Sequence, residues 1–189
     1  YNARSGDGRA RTNDPDTWAT FQELARYLRS HEAFLAEYGM GFGRGFVFSE
    51  TDPMVGVDLD HCRDPESGEI ASWATTIIEE LSSYTEISPS GTGVHILVFG
   101  TLPPAGRHRG NVEMYSTLRY FTVTGNPVDG TPNSIEHRDE ALRTVHARYF
   151  VLPEPPPARP PAVMPDSDAT LVNRARAAVN GSKFWSLWI

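Results

Sequence analysis

The sequence predicts a fold of the α/β (α+β) class, because strand-like runs and amphipathic helical stretches occur together in its 189 residues. Short runs rich in β-branched and aromatic residues occupy the centre of the chain and predict strands. Apolar residues at helical spacing flank and interrupt these runs. The predicted strands are 45–49, 53–60, 84–88, 94–99, 112–115 and 120–123, and the clearest predicted helices are 71–83 and 139–149.

The first helix is predicted to start in residues 14–17, where two aspartates, a proline and a threonine supply the signals of a first helical turn. A second short helical stretch is predicted through Phe34 and Leu35, before closely spaced glycines interrupt it. The apolar residues at helical spacing in the first helix are Trp18, Phe21, Leu24, Ala25 and Leu28.

Composition divides the chain into four parts. Residues 1–13 are polar and predict a flexible lead-in, and residues 14–152 hold the predicted folded domain. Residues 153–166 are rich in proline and predict an extended linker. Residues 167–189 predict the start of a C-terminal helical segment, with a helix over 171–179. We expect this segment to be truncated, because a run rich in aromatic residues is an unusual natural C-terminus.

Composition also excludes several classes of protein. The single cysteine, Cys62, excludes an internal disulfide and a cysteine-based zinc ribbon, and it favours a reducing cytoplasm. No apolar run approaches the roughly 18 residues needed to span a membrane, so we expect no membrane partner. The formal charge of −7 argues against nucleic-acid binding by bulk positive charge, although local phosphate contacts remain compatible with it.

The first motif with chemical meaning is Asp58-Leu59-Asp60. Because side chains alternate between the faces of a strand, Val57 and Leu59 would face a core while Gly56, Asp58 and Asp60 would face the other way. Neighbouring carboxylates repel each other unless a cation lies between them, so the pair indicates a divalent metal site. The alternative is a strand end that carries two solvated acids.

The second motif is a loop of serine and glycine, residues 88–93, that leads directly into a strand. Its backbone N–H groups, with Ser90 and Gly91 at its centre, could bind an anion. His95 stands just after the loop and could donate a hydrogen bond to a phosphate. The alternative is a flexible turn followed by a buried, hydrogen-bonded histidine.

Two later stretches add charge to strands. Glu113 lies between the apolar residues Val112 and Met114, where a carboxylate is costly unless it is paired or bound to metal. The alternative is an edge strand that exposes Glu113 to water. Further on, Arg119 could bind a triphosphate and Tyr120 could pack against a sugar or base. The two neighbours would face opposite ways in a regular strand, and the alternative is an exposed arginine beside a core tyrosine.

In this order, the motifs resemble those of the archaeo-eukaryotic primase superfamily, and more closely those of its primase-polymerase branch from phages, plasmids and other mobile replicons. The resemblance covers residues 14–126, and the tail 171–189 resembles the segment that follows this domain before a helical or helicase region. The stretches that carry the resemblance are 13–18 (NDPDTW), 56–62 (GVDLDHC), 86–96 (EISPSGTGVHI) and 112–126 (VEMYSTLRYFTVTGN).

The resemblance implies an RRM-like, antiparallel-rich sheet and a small N-terminal α/β unit, with the active site in the cleft between them. It implies a DNA-directed nucleotidyltransferase that uses a two-metal site with Mg²⁺ or Mn²⁺. The enzyme would join a dNTP or NTP to a 3′-hydroxyl on a single-stranded DNA template during replication. The full-length protein would continue into a helical or helicase region, and the setting would be a cytoplasmic nucleoid, viral or plasmid replicon.

The resemblance also implies roles for individual residues. Asp58, Asp60 and Glu113 would be the catalytic metal ligands, although many relatives have Asp where this sequence has Glu113. The residues that would contact the incoming nucleotide are Ser90, Gly91, His95, Arg119 and Tyr120. Apart from the resemblance, Arg107 and Arg109 lie in a predicted loop between two strands and are candidate DNA contacts, with a solvated hairpin loop as the alternative.

Other functions stay open at this point. The main alternative enzyme is a metal-dependent nuclease or a rolling-circle replication initiator. The initiator would need two metal-binding histidines close in sequence and a nucleophilic tyrosine, and His95 has no such neighbour. A glycosyltransferase uses an Asp-x-Asp motif but has no role for the element that ends in His95. A non-catalytic module that binds single-stranded DNA or a replication partner is also possible, although all three acids are present.

Overall fold

The computed structural model describes residues 10–37, 44–104, 107–150 and 168–178. The chain divides into two compact units, Tyr1–Val151 and Leu152–Ile189, and only one helix of the second unit is among the described residues. The linker predicted at 153–166 lies outside the described ranges. None of the described helices is long and apolar enough to cross a membrane.

The first unit alternates short strands with helices. The strands are β1 (Arg44–Phe48), β2 (Met54–Leu59), β3 (Thr85–Ile87), β4 (Val94–Phe99), β5 (His108–Arg109), β6 (Val112–Tyr115), β7 (Arg119–Val123) and β8 (Glu136–His137). The helices are α1 (Phe21–Glu37), α2 (Ser72–Leu81), α3 (Asp139–Phe150) and, in the second unit, α4 (Asp168–Ala177).

Among the described residues, six strands form a central sheet in the order β3-β4-β2-β6-β5, with β8 pairing parallel to β4. The neighbours along the main path are antiparallel. The strands β1 and β7 form a separate antiparallel pair. The predicted mixed class of helices with antiparallel sheets is therefore confirmed.

One face of the central sheet forms the main core. Val55, Val57 and Leu59 of β2 are fully buried on it, as their alternation predicts. The helices α2 and α3 cover this face with apolar side chains because a sheet must bury its apolar face against another element. The helical residues in this core include Ala74, Ile77, Leu81, Leu142 and Val145.

The opposite face is covered by two aromatic rings from the β1–β7 pair. Gly56 of β2 lies under them, and a Cβ atom built on Gly56 would stand 2.4 Å from Phe48 and 2.5 Å from Phe121. Those distances are far inside van der Waals contact, so the rings can approach the sheet only above a glycine. The place of a side chain at Gly56 is thus filled by aromatic rings.

The prediction for the N-terminal helices was wrong in two respects. Residues 15–17 form only a 3₁₀ turn, and the α-helix begins at Phe21. The start is fixed by a capping box, in which the Glu23 amide donates to Thr20 Oγ1 at 3.3 Å and the Thr20 amide donates to Glu23 Oε2 at 2.7 Å. The helix then continues to Glu37, so the two predicted stretches are one element.

The central strands agree with the predictions to within one or two residues at each end. The two-residue strands β5 and β8 were missed because they are too short to carry a periodic signal. The predicted strands 45–49 and 53–60, which adjoin one turn, do not pair with each other: β1 pairs with β7 and β2 with β4 and β6.

Candidate active site

A row of charged side chains crosses the central sheet on the face opposite the main core. The register pairs His95 of β4 with Asp58 of β2 on one side and with Glu86 of β3 on the other. It also pairs Asp58 with Glu113 of β6, and Glu113 with His108 of β5. Directly paired residues on neighbouring strands point to the same face of a sheet. Three acids and two histidines from five strands therefore form one row, in the order Glu86, His95, Asp58, Glu113 and His108, and we call this set the charged row.

His95 lies near the middle of the charged row and is almost completely buried, with 6% of its surface exposed. Its Nε2 atom is 3.7 Å from Asp58 Oδ1, and its Nδ1 atom is 3.8 Å from Glu86 Oε1. Its ring stacks on Phe121 with 4.5 Å between the ring centres. The ring is thus held between two carboxylates and an aromatic plane. The histidine is buried, as its alternative interpretation predicted, while Nδ1 has no hydrogen-bond partner among the described residues.

Asp58 has the charge environment of an unsatisfied acid. Burial raises its pKa most, His95 lowers it, and the nearby Asp60 and Glu113 raise it further, to about 6. Asp60 follows the last residue of β2 and is half-buried, and its amide donates to the carbonyl of Asn111 at 2.9 Å. Asp60 and Glu113 therefore each act on the charge of Asp58, which lies beside His95.

Glu86 is also buried, with 1% of its surface exposed, yet its environment has the opposite effect. Burial would raise its pKa, but the neighbouring His95 ring, together with hydrogen bonds from the amides of Thr124 and Gly125 and from the Tyr84 hydroxyl, holds the pKa below its usual value. These contacts satisfy the charged form of the carboxylate. Glu86 is therefore an ionised, buried acid at neutral pH.

Glu113 is held by groups on its own strand, β6, and on β7 and β5. Tyr115 donates its hydroxyl to Glu113 Oε2 at 2.6 Å, and Arg119 donates to the same oxygen at 3.2 Å. The Arg119 guanidinium lies 4.7 Å above the Tyr115 ring, and His108 Nε2 is 3.6 Å from Glu113 Oε1. The alternative of a solvated edge strand was wrong, since β6 lies between β2 and β5 and only 14% of the Glu113 side chain is exposed.

The loop 88–93 before His95 is ordered by its own hydroxyl groups. Ser90 Oγ is 3.0 Å from Ser88 Oγ and 3.0 Å from Thr92 Oγ1. Gly91 has φ +74°, a conformation that favours glycine, and its carbonyl accepts a hydrogen bond of 2.9 Å from Arg63. Ser90 itself is exposed. The loop therefore presents a hydroxyl and backbone groups to solvent next to the charged row.

A cleft of about 490 Å³ lies against the charged row. The residues that line the cleft include Asp58 and His95 of the charged row, and Arg119 and Tyr120 of β7. Arg119 shares a face of β7 with Phe121, whereas Tyr120 lies on the other face, where its ring contacts Gly45, and is 56% exposed. Strand alternation thus separates the two side chains as predicted, but both reach the cleft. The alternative of a core tyrosine at Tyr120 was wrong.

Arg107 and Arg109 lie at or beside β5, at the opposite edge of the central sheet from β3. The predicted loop is in fact a short strand, β5, followed by a turn into β6. Arg109 donates to the carbonyl of Tyr149 at 3.0 Å, near the C-terminal end of α3, and Arg107 has a buried guanidinium nitrogen without a hydrogen-bond partner among the described residues. A DNA contact through Arg109 would have to compete with this helix-end contact.

The chemistry of the side chains fits a divalent cation, although they are not yet arranged around one. Carboxylate oxygens are the ligands that Mg²⁺ and Mn²⁺ prefer. Burial, and after it the charges of Asp60 and Glu113, raise the pKa of Asp58, and a cation would stabilise its charged form. In the described ranges, no three acid, histidine or cysteine side chains already converge on one cation position. Joint coordination by Asp58, Asp60 and Glu113 therefore requires a change of side-chain rotamer.

Sequence reasoning missed two members of this site, Glu86 and Tyr115, and it took a third, His108, only as a candidate phosphate contact in the predicted loop that holds Arg107 and Arg109. Glu86 could have been found, because a hairpin that closes through the loop 88–93 pairs Ile87 with Val94 and hence Glu86 with His95. Tyr115 is two residues after Glu113 on the same strand, which places both side chains on one face. His108 lies on a strand too short to be recognised from its pattern.

Comparison of the sequence with known proteins identifies the family to which the chain belongs. No family model matches the chain. Over 136 residues the chain is 38% identical to the DNA Primase-polymerase of Nitratiruptor phage NrS-1, an alignment that covers 69% of this chain and 18% of that protein. The chain belongs with the primase-polymerases of mobile replicons. It spans less than a fifth of the length of this relative, so the similarity concerns one part of a larger protein.

Proposed function

We propose that the chain is the catalytic domain of a DNA primase-polymerase, a nucleotidyltransferase that extends a 3′-hydroxyl on a DNA template. The observation that carries the proposal is the charged row, which brings Asp58, Glu113 and His95 together from three strands of one sheet. The similarity to a phage DNA primase-polymerase supports the same function. In this proposal the central sheet is the RRM-like sheet of the family, and the cleft beside it is the active site.

Asp58, Asp60 and Glu113 would hold two divalent cations, Mg²⁺ or Mn²⁺. Bound there, the cations would lower the pKa of the attacking 3′-hydroxyl and neutralise charge on the pyrophosphate leaving group. The protein contributes three carboxylates on a rigid sheet, where backbone pairing fixes the positions of Asp58 and Glu113. Because Tyr115 and Arg119 already hold Glu113, its release or rotation would accompany cation binding.

The cationic and donor groups beside the acids would bind the nucleotide triphosphate. His95 Nε2 points to Asp58 and Arg119 lies on the wall of the cleft, so both could donate to phosphate oxygens. Ser90 at the tip of the neighbouring loop would add a hydroxyl donor. The Gly91 amide, which donates to the Ser88 carbonyl at 2.9 Å, would have to release that carbonyl to bind a phosphate. Tyr120 would pack against the sugar at the rim of the cleft.

The template would be held by contacts to its sugar-phosphate backbone and by stacking of its bases, with little readout of base identity. The net charge of −7 leaves little bulk attraction for DNA, so these contacts would be local. Arg107 and Arg109 are the candidate phosphate contacts. The full-length protein would join this domain to a C-terminal helical or helicase region and would act in an intracellular replicon. The relative's much greater length is compatible with such a further region.

Primer extension tests the proposed function directly. The chain is incubated with single-stranded DNA, labelled dNTPs or NTPs and Mn²⁺ or Mg²⁺, with and without an annealed primer. We expect extension of the primer by the unmodified chain and none by the variant that combines Asp58→Ala with Asp60→Ala. Extension by that double variant at the unmodified rate would refute the metal assignment.

A second measurement separates catalysis from binding alone. Titration of Mn²⁺ and a non-hydrolysable dNTP should show that each increases the affinity for the other, because the cation bridges the acids and the phosphates. A module that only binds single-stranded DNA would bind DNA without this coupling and would not extend the primer. That outcome would favour the non-catalytic alternative.

A further inference from the structure

The charged row contains one acid to which the proposed function assigns no role. Glu86 is 1% exposed and lies on β3, away from the three proposed metal ligands. It is paired directly with His95 in the sheet register. A fully buried carboxylate is costly unless its charge is satisfied, so its presence requires a structural or functional reason.

We propose that Glu86 is a positioning residue, which accepts the Nδ1 proton of His95 and so turns Nε2 toward Asp58 and the nucleotide cleft. The proposal rests on the proposed function for its catalytic consequence. Its structural part, the orientation and tautomer of the His95 ring, stands on the contacts of Glu86 and His95 alone.

The carboxylate of Glu86 is fixed from behind. The amide of Thr124 donates to Oε1 at 3.0 Å, and the amide of Gly125 and the hydroxyl of Tyr84 donate to Oε2, each at 3.0 Å. The two amides belong to consecutive residues, and the tyrosine lies on another segment of the chain. Together these three donors leave the carboxylate little freedom to rotate. Oε1 therefore stays on the side of the carboxylate that faces His95.

The ring of His95 needs an acceptor at the position where Glu86 lies. Nδ1 is buried and has no hydrogen-bond partner in the described structure, and Glu86 Oε1 is 3.8 Å away. That distance is an ion-pair contact and exceeds a hydrogen bond by less than 1 Å. Phe121, stacked on the ring, confines His95 to motions within its own plane, and such a motion can shorten the contact to Glu86.

The consequence for the site is a choice between two ring nitrogens. A proton on Nδ1 that points to a carboxylate leaves Nε2 as the nitrogen that exchanges protons or hydrogen bonds with the cleft. Carboxylates that orient a histidine from behind in this way commonly contribute about 10- to 100-fold to the function of the histidine. Glu86 would therefore act through His95, without contacting the nucleotide itself.

The unmodified chain allows a test that needs no variant with altered Glu86. NMR spectra are recorded on ¹⁵N-labelled protein without metal or nucleotide. The signals of the His95 ring nitrogens are identified as those that are absent from the spectrum of His95→Ala. We expect protonated Nδ1, with Nε2 unprotonated in the neutral ring at pH 8. A neutral ring that carries its proton on Nε2 would overturn the proposal.

A double-mutant cycle tests whether Glu86 acts through His95. Glu86→Gln places an amide donor toward Nδ1 and should move the ring proton to Nε2, with a 10- to 100-fold fall in the rate of primer extension. In the His95→Ala background the same change should have little further effect, because its target is gone. Additive losses in the two backgrounds would overturn the positioning role.

Glu80→Gln is the matched control, since Glu80 is a partly buried carboxylate paired with Arg148 at 2.9 Å and lies on α2, behind the sheet. It should leave extension and the His95 signals unchanged. If the unmodified chain extends no primer, the proposed function fails, while the ring signals still decide the Glu86–His95 pair. If extension occurs and Glu86→Gln changes neither rate nor tautomer, only the positioning role fails.

Discussion

Asp58 and Glu86 face the ring of His95 from opposite sides, and the protein surrounds these two acids very differently. Glu86 receives two backbone amides and a tyrosine hydroxyl, which hold its pKa below the usual value although burial opposes this. Asp58 is raised to a pKa of about 6, first by burial and then by neighbouring acids. The difference indicates that Glu86 is satisfied by the fold, whereas Asp58 is satisfied only when a cation or a proton arrives.

This contrast has a physical cause in the position of the two acids. Glu86 lies where β3 meets the segment 124–127. Two amide groups of that segment donate to the Glu86 carboxylate. Asp58 lies on β2 between β4 and β6, and the backbone groups of both strands already pair with those of β2. An acid at that position therefore meets side chains, and two of the acids near it carry the same charge. Functional sites commonly accept such a local cost in stability.

The largest expected effect separates the two acids by activity. Asp58→Asn should reduce primer extension by roughly 10²-fold or more, because it removes a charge that stabilises the transferring phosphoryl group through bound cations. The rate is measured with saturating Mn²⁺ and dNTP. Asp129→Asn, at an exposed position, is the control. Unchanged extension by Asp58→Asn would show that Asp58 is not part of the catalytic site.

Removing the satisfied acid should instead damage the fold. Glu86→Ala leaves two amide donors and a buried hydroxyl without their acceptor, which should lower the free energy of unfolding by about 2–4 kcal/mol. Urea denaturation without metal measures this loss. Glu80→Ala removes a partly exposed ion pair and should cost less than about 1 kcal/mol. Equal losses in the two variants would contradict the special environment of Glu86.

The pH dependence of stability should distinguish the acids by sign. The folded-state pKa of Asp58, about 6, exceeds its ordinary value of 3.8, so its contribution is fully present below pH 3.8 and is lost as pH rises through 6. Relative to Asp58→Asn, the metal-free chain should therefore lose roughly 1–3 kcal/mol of stability between pH 4 and pH 7. Denaturation at several pH values measures the difference, and a constant difference would contradict the raised pKa.

Glu86 should show the reverse dependence because its pKa is lowered. Its contribution is present above the ordinary pKa of 4.5 and is lost as pH falls through the lowered folded-state value. The stability difference between the unmodified chain and Glu86→Gln should therefore shrink on acidification below pH 4.5. Growth of that difference in acid would mean that Glu86 is neutral in the folded protein.

Mn²⁺ should also stabilise the folded chain against heat. At a concentration about 100 times the dissociation constant, a cation that binds only the folded state adds about 2.7 kcal/mol, which raises the melting temperature by several degrees. We expect this shift in the unmodified chain and in Glu86→Gln, and none in Asp58→Asn. A shift that survives in Asp58→Asn would place the cation elsewhere.

The sequence alone determined much of the fold at the level of single elements. The alternation of Val55, Val57 and Leu59 placed Asp58 on the opposite face of β2, and the apolar run 94–99 matched β4. These predictions succeeded because side-chain alternation is a local property of a strand. Pairing was beyond them: the adjoining strands β1 and β2 lie in different sheets, and the aromatic cover over Gly56 depends on contacts between distant segments.

For the candidate site, the sequence supplied the residue types and the order of the motifs, which were enough to suggest acids, a phosphate-binding loop and a histidine. Only the tertiary structure decided that β6 lies beside β2, so that Glu113 faces Asp58, and that Glu86 receives backbone amides from 124–125. The reason is that register between strands far apart in the chain, and the local charge it creates, result from packing of the whole sheet. An acid's charge environment is therefore set by its neighbours in space, which its neighbours in sequence do not reveal.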